Sequence, residues 1–154
     1  MRGQVAVVTG AAHRVGRAIA LELARAGVSV LVHYFRSPDA VVRETLHDIK
    51  SLGVEAFPVR ADLSTPDGVA SVFAAVREQF GRLDILVNSA SNFQRRQLLD
   101  VTLAEWDETM AVNLTAPFLC TQHAIRLMRE NQPPGGVIVN ILDRGALEPW
   151  VDYA

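Results

Sequence analysis

Cysteine and lysine are nearly absent from this chain. Cys120 is the only cysteine in 154 residues, which excludes an intrachain disulfide and a cysteine-rich metal site and suits a reducing compartment. Lys50 is the only lysine in a Lys+Arg total of 15, set against 17 acids for a formal net charge of -2. The basic footprint of a nucleic-acid binder is therefore missing. No apolar run approaches the ~18 residues that a membrane helix needs. Residues 1–4 lead straight into a strand-like run, so no targeting segment is expected. The expectation is a cytoplasmic protein that engages neither nucleic acid nor membrane.

A composition of 49% hydrophobic and 21% charged residues describes a globular chain and excludes disorder. Residues 1–154 read as one domain, although sheets of this kind often need about 200 to 250 residues to close their core. A β-branched run over 4–9 stops at Gly10, and apolar residues then recur at helical spacing from Val15 through Ile19 and Leu23 to Ala26. Gly27 ends that helix and 28–32 reads as a second buried strand. Ser37-Pro38 offers a cap and first-turn proline for a helix through Ile49, ended by Gly53, and 56–59 makes a third strand. Thr65-Pro66 opens a helix closed by Gly81, followed by a strand over 85–87. Thr102 and Glu105 form a capping box for a long helix from 103 to about 130, and 137–141 is the fifth strand. Residues 142–154 carry no regular pattern. Strands alternating with helices predict an α/β, doubly wound, Rossmann-like parallel sheet. In such sheets ligands bind beyond the carboxyl ends of the strands, so Gly10, His33, Asp62, Asn88 and Asp143 are expected along one edge.

Two segments carry a cofactor signal. Thr9-Gly10-Ala11-Ala12-His13-Arg14-Val15-Gly16 lies between the first strand and first helix, where glycines let backbone approach a pyrophosphate. The second strand ends in His33-Tyr34-Phe35-Arg36-Ser37 with no acid to accept from the ribose hydroxyls of an unphosphorylated dinucleotide. Arg36 and Ser37 therefore favour a 2′-phosphate, against the plainer reading of a solvated charge and a helix cap. Asn113, followed by the mid-helix Pro117, breaks a local rule and is a candidate for function on that ground.

Thr9-Gly10-x-x-x-Arg14-x-Gly16, Asp62-Leu63, Asn88-Ser89-Ala90-Ser91, and Asn113 with Pro117 resemble, in that order and spacing, the short-chain dehydrogenase/reductases. The resemblance covers essentially the whole chain. It is closest in kind to the pteridine reductase group, through Arg14 in place of the middle fingerprint glycine, His33-Tyr34-x-Arg36-Ser37, Ser91, Phe93, and Asp143 in place of the usual serine. The resemblance implies NADP(H) as cofactor, held by Gly10, Arg14, Val15, Gly16 and the 33–37 segment. It adds cofactor contacts from Asp62, Leu63, Asn88, Ala90, Ser91 and Ile141. Arg14, Phe93 and Asp143 would meet the substrate, with Phe93 stacking a flat ring against the nicotinamide. Asn113 would anchor a water in the proton path and Asp143 would help protonate a ring nitrogen. Each has a plainer alternative: Arg14 as a helix-surface cation, Phe93 as a loop anchor, Asp143 as the cap of a turn. Arg95-Arg96 reads either as a solvated loop or as a partner for an acidic substrate tail. His13 and His123 are not read as metal ligands, and Cys120 is read as packing.

The implied reaction is hydride transfer to a pteridine or dihydrofolate-like C=N group, or, as the alternative, to a carbonyl or 3-oxoacyl thioester. A different class of reading is a non-catalytic nucleotide-binding or interaction protein. In the resembled family the proton donor is the tyrosine of a Tyr-x-x-x-Lys turn, whose spacing from Asp143 would put it just past Ala154. Tyr153 stands too near Asp143 and has no lysine after it, so it is not taken as the acid. The chain is thus expected to be the N-terminal part of a longer reductase, lacking the later strands and the tyrosine helix, inactive alone and a homotetramer when whole. The fifth strand would then be an open hydrophobic edge, and the 154-residue product is expected to be unstable or to associate. Circular dichroism and light scattering reporting a stable monomer would contradict this.

Overall fold

Strand and helix alternate along the computed structural model, which describes residues 1–148. Its strands are β1 (Val5–Val8), β2 (Ser29–Tyr34), β3 (Ala56–Arg60), β4 (Ile85–Asn88) and β5 (Val137–Asn140). All pair in parallel, in the order β3-β2-β1-β4-β5. The central β1 and β4 are buried at every position, because helices cover both faces of the sheet. Side chains alternate across that sheet. Ala6, Val8, Val30 and Val32 pack with Ala20 and Ala24 of α1 (Arg14–Arg25) and Ile49 of α2 (Asp39–Ser51). Val7, Leu31 and Leu86 pack on the opposite face with Val69, Val72 and Val76 of α3 (Pro66–Gln79) and Cys120 and Ala124 of α5 (Ala116–Glu130). The chain is doubly wound, as its sequence predicts.

The helix expected over 103–130 is interrupted. α4 (Leu103–Met110) opens with the capping box, Glu105 N donating to Thr102 Oγ1 at 3.2 Å and Thr102 N to Glu105 Oε2 at 3.0 Å. A π turn, Ala111–Thr115, then joins it to α5. Pro117 sits in the first turn of α5, where the regular hydrogen-bond ladder is already broken and a missing N–H does least harm. The cap expected from Ser37 is not made. Pro38 holds the N-cap position of α2, and the Ser37 hydroxyl turns instead to His13 Nδ1 at 3.2 Å. Residues after β5 include one 3-10 turn, Arg144–Ala146; Tyr153 lies outside the described residues.

Cys120 is packing, as expected: it is buried, and burial pushes its thiol up to about 12. β5 forms the edge of the sheet, with Val137 57% and Val139 40% exposed. At the amino ends of the strands the buried Asp84 accepts from Val5 N at 2.8 Å and pairs with Arg82 at 2.7 Å. Asp84→Ala strands the Val5 N–H inside the protein, and the expected loss is about 2–3 kcal/mol in urea unfolding. An unchanged midpoint would contradict this role.

Candidate functional site

The strand order reverses at β1, which has β2 on one side and β4 on the other. Connections leaving β1 and β4 therefore diverge and open a crevice at the carboxyl edge. Gly10 turns the chain there with φ +68, and a Cβ on it would come within 3.0 Å of the Ala90 backbone. A Cβ at Gly16 would lie 2.3 Å from the Gly10 carbonyl oxygen, so the first turn of α1 can pack against the loop only as glycine. α1 begins after His13 with no side-chain cap and no acid in its first turn. Its free N–H groups and positive dipole end are left for an anion. Arg14 is the one non-glycine with positive φ, +51, among the described residues, and it is exposed. Such a conformation costs about 1 kcal/mol or more, and strain of this kind collects at functional sites.

Buried polar side chains fasten this turn. Thr9 Oγ1 accepts from Ser89 N and Ala90 N, both at 2.9 Å, tying the end of β1 to the loop after β4. The Thr45 hydroxyl, fully buried on α2, donates to Ala12 O at 2.9 Å and accepts from Arg17 Nε at 3.2 Å. His33 is also internal. Its ring is 2% exposed, accepting from Gly10 N at Nδ1 and bonding Ala61 O through Nε2, so it does not line the open edge as the sequence suggests. Its position explains this: strand alternation puts His33 on the Leu31 face of a strand buried on both sides. Burial holds its pKa below the usual histidine value, with the Ala61 bond and the Asp62 charge opposing.

The remaining candidates divide between open edge and interior. Tyr34 and Phe35 are half-buried, and Arg36 is exposed over the Phe35 ring at 5.2 Å and 3.3 Å from Glu108. Asp62 Oδ1 accepts from Ser64 N at 3.0 Å and Ser64 Oγ at 2.7 Å, whereas the Leu63 side chain is part of the core. Asn88 is interior too, 5% exposed, its amide donating to Asn140 Oδ1 at 2.8 Å across paired strand ends. Ile141 follows, donating its N–H to Asn88 O at 2.9 Å. Val15, Ser91 and Phe93 are exposed, and Ala90 is half-buried against the Gly10 turn. Asn113, inside the π turn, accepts from Asn92 N at 2.8 Å and donates to Asn92 O at 2.7 Å, so its amide braces the loop that leads to Phe93. The Asp143 carboxylate caps the next turn by accepting from Gly145 N. Arg96 pairs with Glu105 at 2.9 Å rather than standing fully solvated. Thr45 and Asn92 had no local signal; Thr9 stood in the quoted motif without a role.

A glycine turn against an uncapped helix at the switch point of a doubly wound sheet defines a dinucleotide-binding type of α/β domain. The chain belongs to the short-chain dehydrogenase family, whose profile matches residues 4–154. It is 34% identical over 153 residues to a 1-cyclohexenylcarbonyl-CoA reductase of Streptomyces collinus, covering 99% of this chain and 53% of that protein. It is 38% identical over 144 residues to a 3-oxoacyl-[acyl-carrier-protein] reductase of Synechocystis, covering 92% and 56%. The chain thus spans about half the length of the curated relatives it matches. Among solved structures, a metagenomic short-chain oxidoreductase in complex with NADP superposes with TM-score 0.89 at 36% identity, covering 99% of this chain and 68% of that one. The angucycline C-6 ketoreductase LanV with bound NADP gives 0.88 at 36%, covering 99% and 60%.

Thr9→Val keeps the shape of the side chain but leaves the Ser89 and Ala90 N–H groups without their acceptor. A loss of about 2–3 kcal/mol is expected from denaturant unfolding, with Thr9→Ser restoring most of it. Equal stability of the valine and serine variants would contradict the assignment.

Proposed function

We propose that this chain supplies the cofactor-binding part of an NADPH-dependent reductase. The observation that carries the reading is the end of β2, where Arg36 and Ser37 stand in place of an acid. The cradle fits the group: the Gly10 and Gly16 contacts leave no room for a Cβ, and the uncapped first turn of α1 offers N–H groups to a pyrophosphate. Arg36 would pair with the 2′-phosphate, exchanging its exposed Glu108 contact for a doubly charged partner. Asp62 and Leu63 would border the adenosine, and the loop from Asn88 through Ser91 the ribose beyond it. NADPH, when bound, supplies the hydride.

For the substrate we favour a flat, nitrogen-rich ring of the pteridine or dihydrofolate kind. Phe93 is 54% exposed on the loop that Asn113 braces, and its ring would stack on the substrate. Arg14 reaches outward from a strained backbone, and Asp143 stands after β5 at the same edge. Carbonyl or 3-oxoacyl-thioester reduction is the second reading, favoured by the relatives that carry that activity. On either reading the acid is a Tyr-x-x-x-Lys pair outside these residues, and the whole protein is a cytoplasmic homotetramer. No helix of the described residues is long and apolar enough to cross a membrane.

The test compares cofactors and substrates in the full-length protein. Arg36→Ala is expected to lower kcat/KM for NADPH by about tenfold to a hundredfold while leaving NADH nearly unchanged, since it removes a charge-assisted phosphate contact. Equal loss with both cofactors would reject the 2′-phosphate role. Turnover of dihydrobiopterin and dihydrofolate but not of acetoacetyl thioesters supports the pteridine reading; the reverse pattern supports the second.

A further inference from the structure

We propose that the His33 imidazole is a positioning residue for the cofactor, a neutral bridge that sets the glycine turn and the Asp62 loop at once. The inference rests on the dinucleotide reading above. His33 lies near the end of β2 with its ring buried, so no solvent can replace its partners. Nδ1 accepts from Gly10 N at 3.1 Å. That bond requires a lone pair on Nδ1, which places the proton on Nε2, and Nε2 then donates to Ala61 O at 3.0 Å. The backbone of the same strand completes the clamp: His33 O accepts from Ala11 N at 2.9 Å, and Tyr34 O from Ala61 N at 3.1 Å.

One ring therefore holds Gly10, whose placement fixes the seat of the first turn of α1, and Ala61, whose neighbour Asp62 begins the next loop. Only the Nε2–H tautomer can do both. A second proton would turn Nδ1 into a donor facing the Gly10 N–H, and the turn would lose its acceptor. On the β3 side the charged neighbour is the Asp62 carboxylate, and on the glycine turn His13 and Arg14 are exposed. Burial is the largest influence and opposes protonation. With the folded value below 6.5, the bridge is complete above about pH 6.5 and is lost as pH falls through the folded value.

Two variants separate the ring's two bonds. Asparagine places an amide oxygen where Nδ1 stands and cannot titrate; glutamine reaches toward Ala61 and leaves Gly10 without an acceptor. In the full-length protein, NADP⁺ binding measured by calorimetry is expected to weaken about tenfold in His33→Gln and to stay within about threefold in His33→Asn. Acidification through the folded value of the ring should weaken wild-type binding more steeply than that of His33→Asn, which controls for protonation of the 2′-phosphate. Glutamine binding as wild type does, or identical pH dependence in wild type and His33→Asn, overturns the proposal. Should a variant fail to fold, ¹⁵N NMR of the wild-type ring decides: an unprotonated Nδ1 supports the bridge and an Nδ1–H tautomer refutes it. A wild-type protein that binds no NADP⁺ instead refutes the dinucleotide reading, a separate outcome because the ring spectrum still reports the bridge.

Discussion

The close contact between Gly16 and the Gly10 carbonyl is the constraint on which the rest of this site depends. Without a side chain at either position, α1 starts directly behind the turn that leaves β1. That arrangement has little support from local hydrogen bonding, because the helix has no side-chain cap. Its support comes from elsewhere in the chain: Thr9 bonds to the loop after β4, His33 joins the turn to the end of β3, and Thr45 reaches in from α2. The sheet supplies rigidity, and these buried polar groups convert it into a fixed position for the turn.

The same distribution explains how far the sequence could be read. Strands and helices were legible because their signals are local: β-branched runs, helical periodicity, the Thr65 and Thr102 caps, the glycines after helices. The fold class and five strands follow from those alone. The polar fastening was not legible in the same way, since Thr9 meets residues 80 and 81 positions away and Asn131 meets Leu83 O at a separation of 48. Strand alternation did contain a usable clue for His33, which shares the face of the fully buried Leu31. Asn88 and Asn140 offered another, as two asparagines ending neighbouring strands in register. Ser37 misled because a serine before a proline is a common cap signal, while here its hydroxyl finds His13.

Two departures from local preference survive in the folded protein. Arg14 adopts a backbone conformation suited to glycine, and Asn113 lies in a π turn that lets its amide brace Asn92. Neither arrangement is the most stable available to the backbone. Arg14 is left exposed at the start of α1, and the Asn113 amide holds the Asn92 backbone through two hydrogen bonds. The β5 edge, by contrast, follows local preference and leaves Val137 and Val139 exposed.

On the proposed function, the carboxyl edge between β1 and β4 receives the dinucleotide. Amide NMR shifts of the full-length protein during titration with NADP⁺ test it most directly. The largest changes are expected at Gly10, Gly16 and the 62–64 loop, with little change at Gly53 and Glu55 on the opposite edge. Saturable binding that shifts those opposite residues while leaving Gly10 and Gly16 unmoved would contradict it.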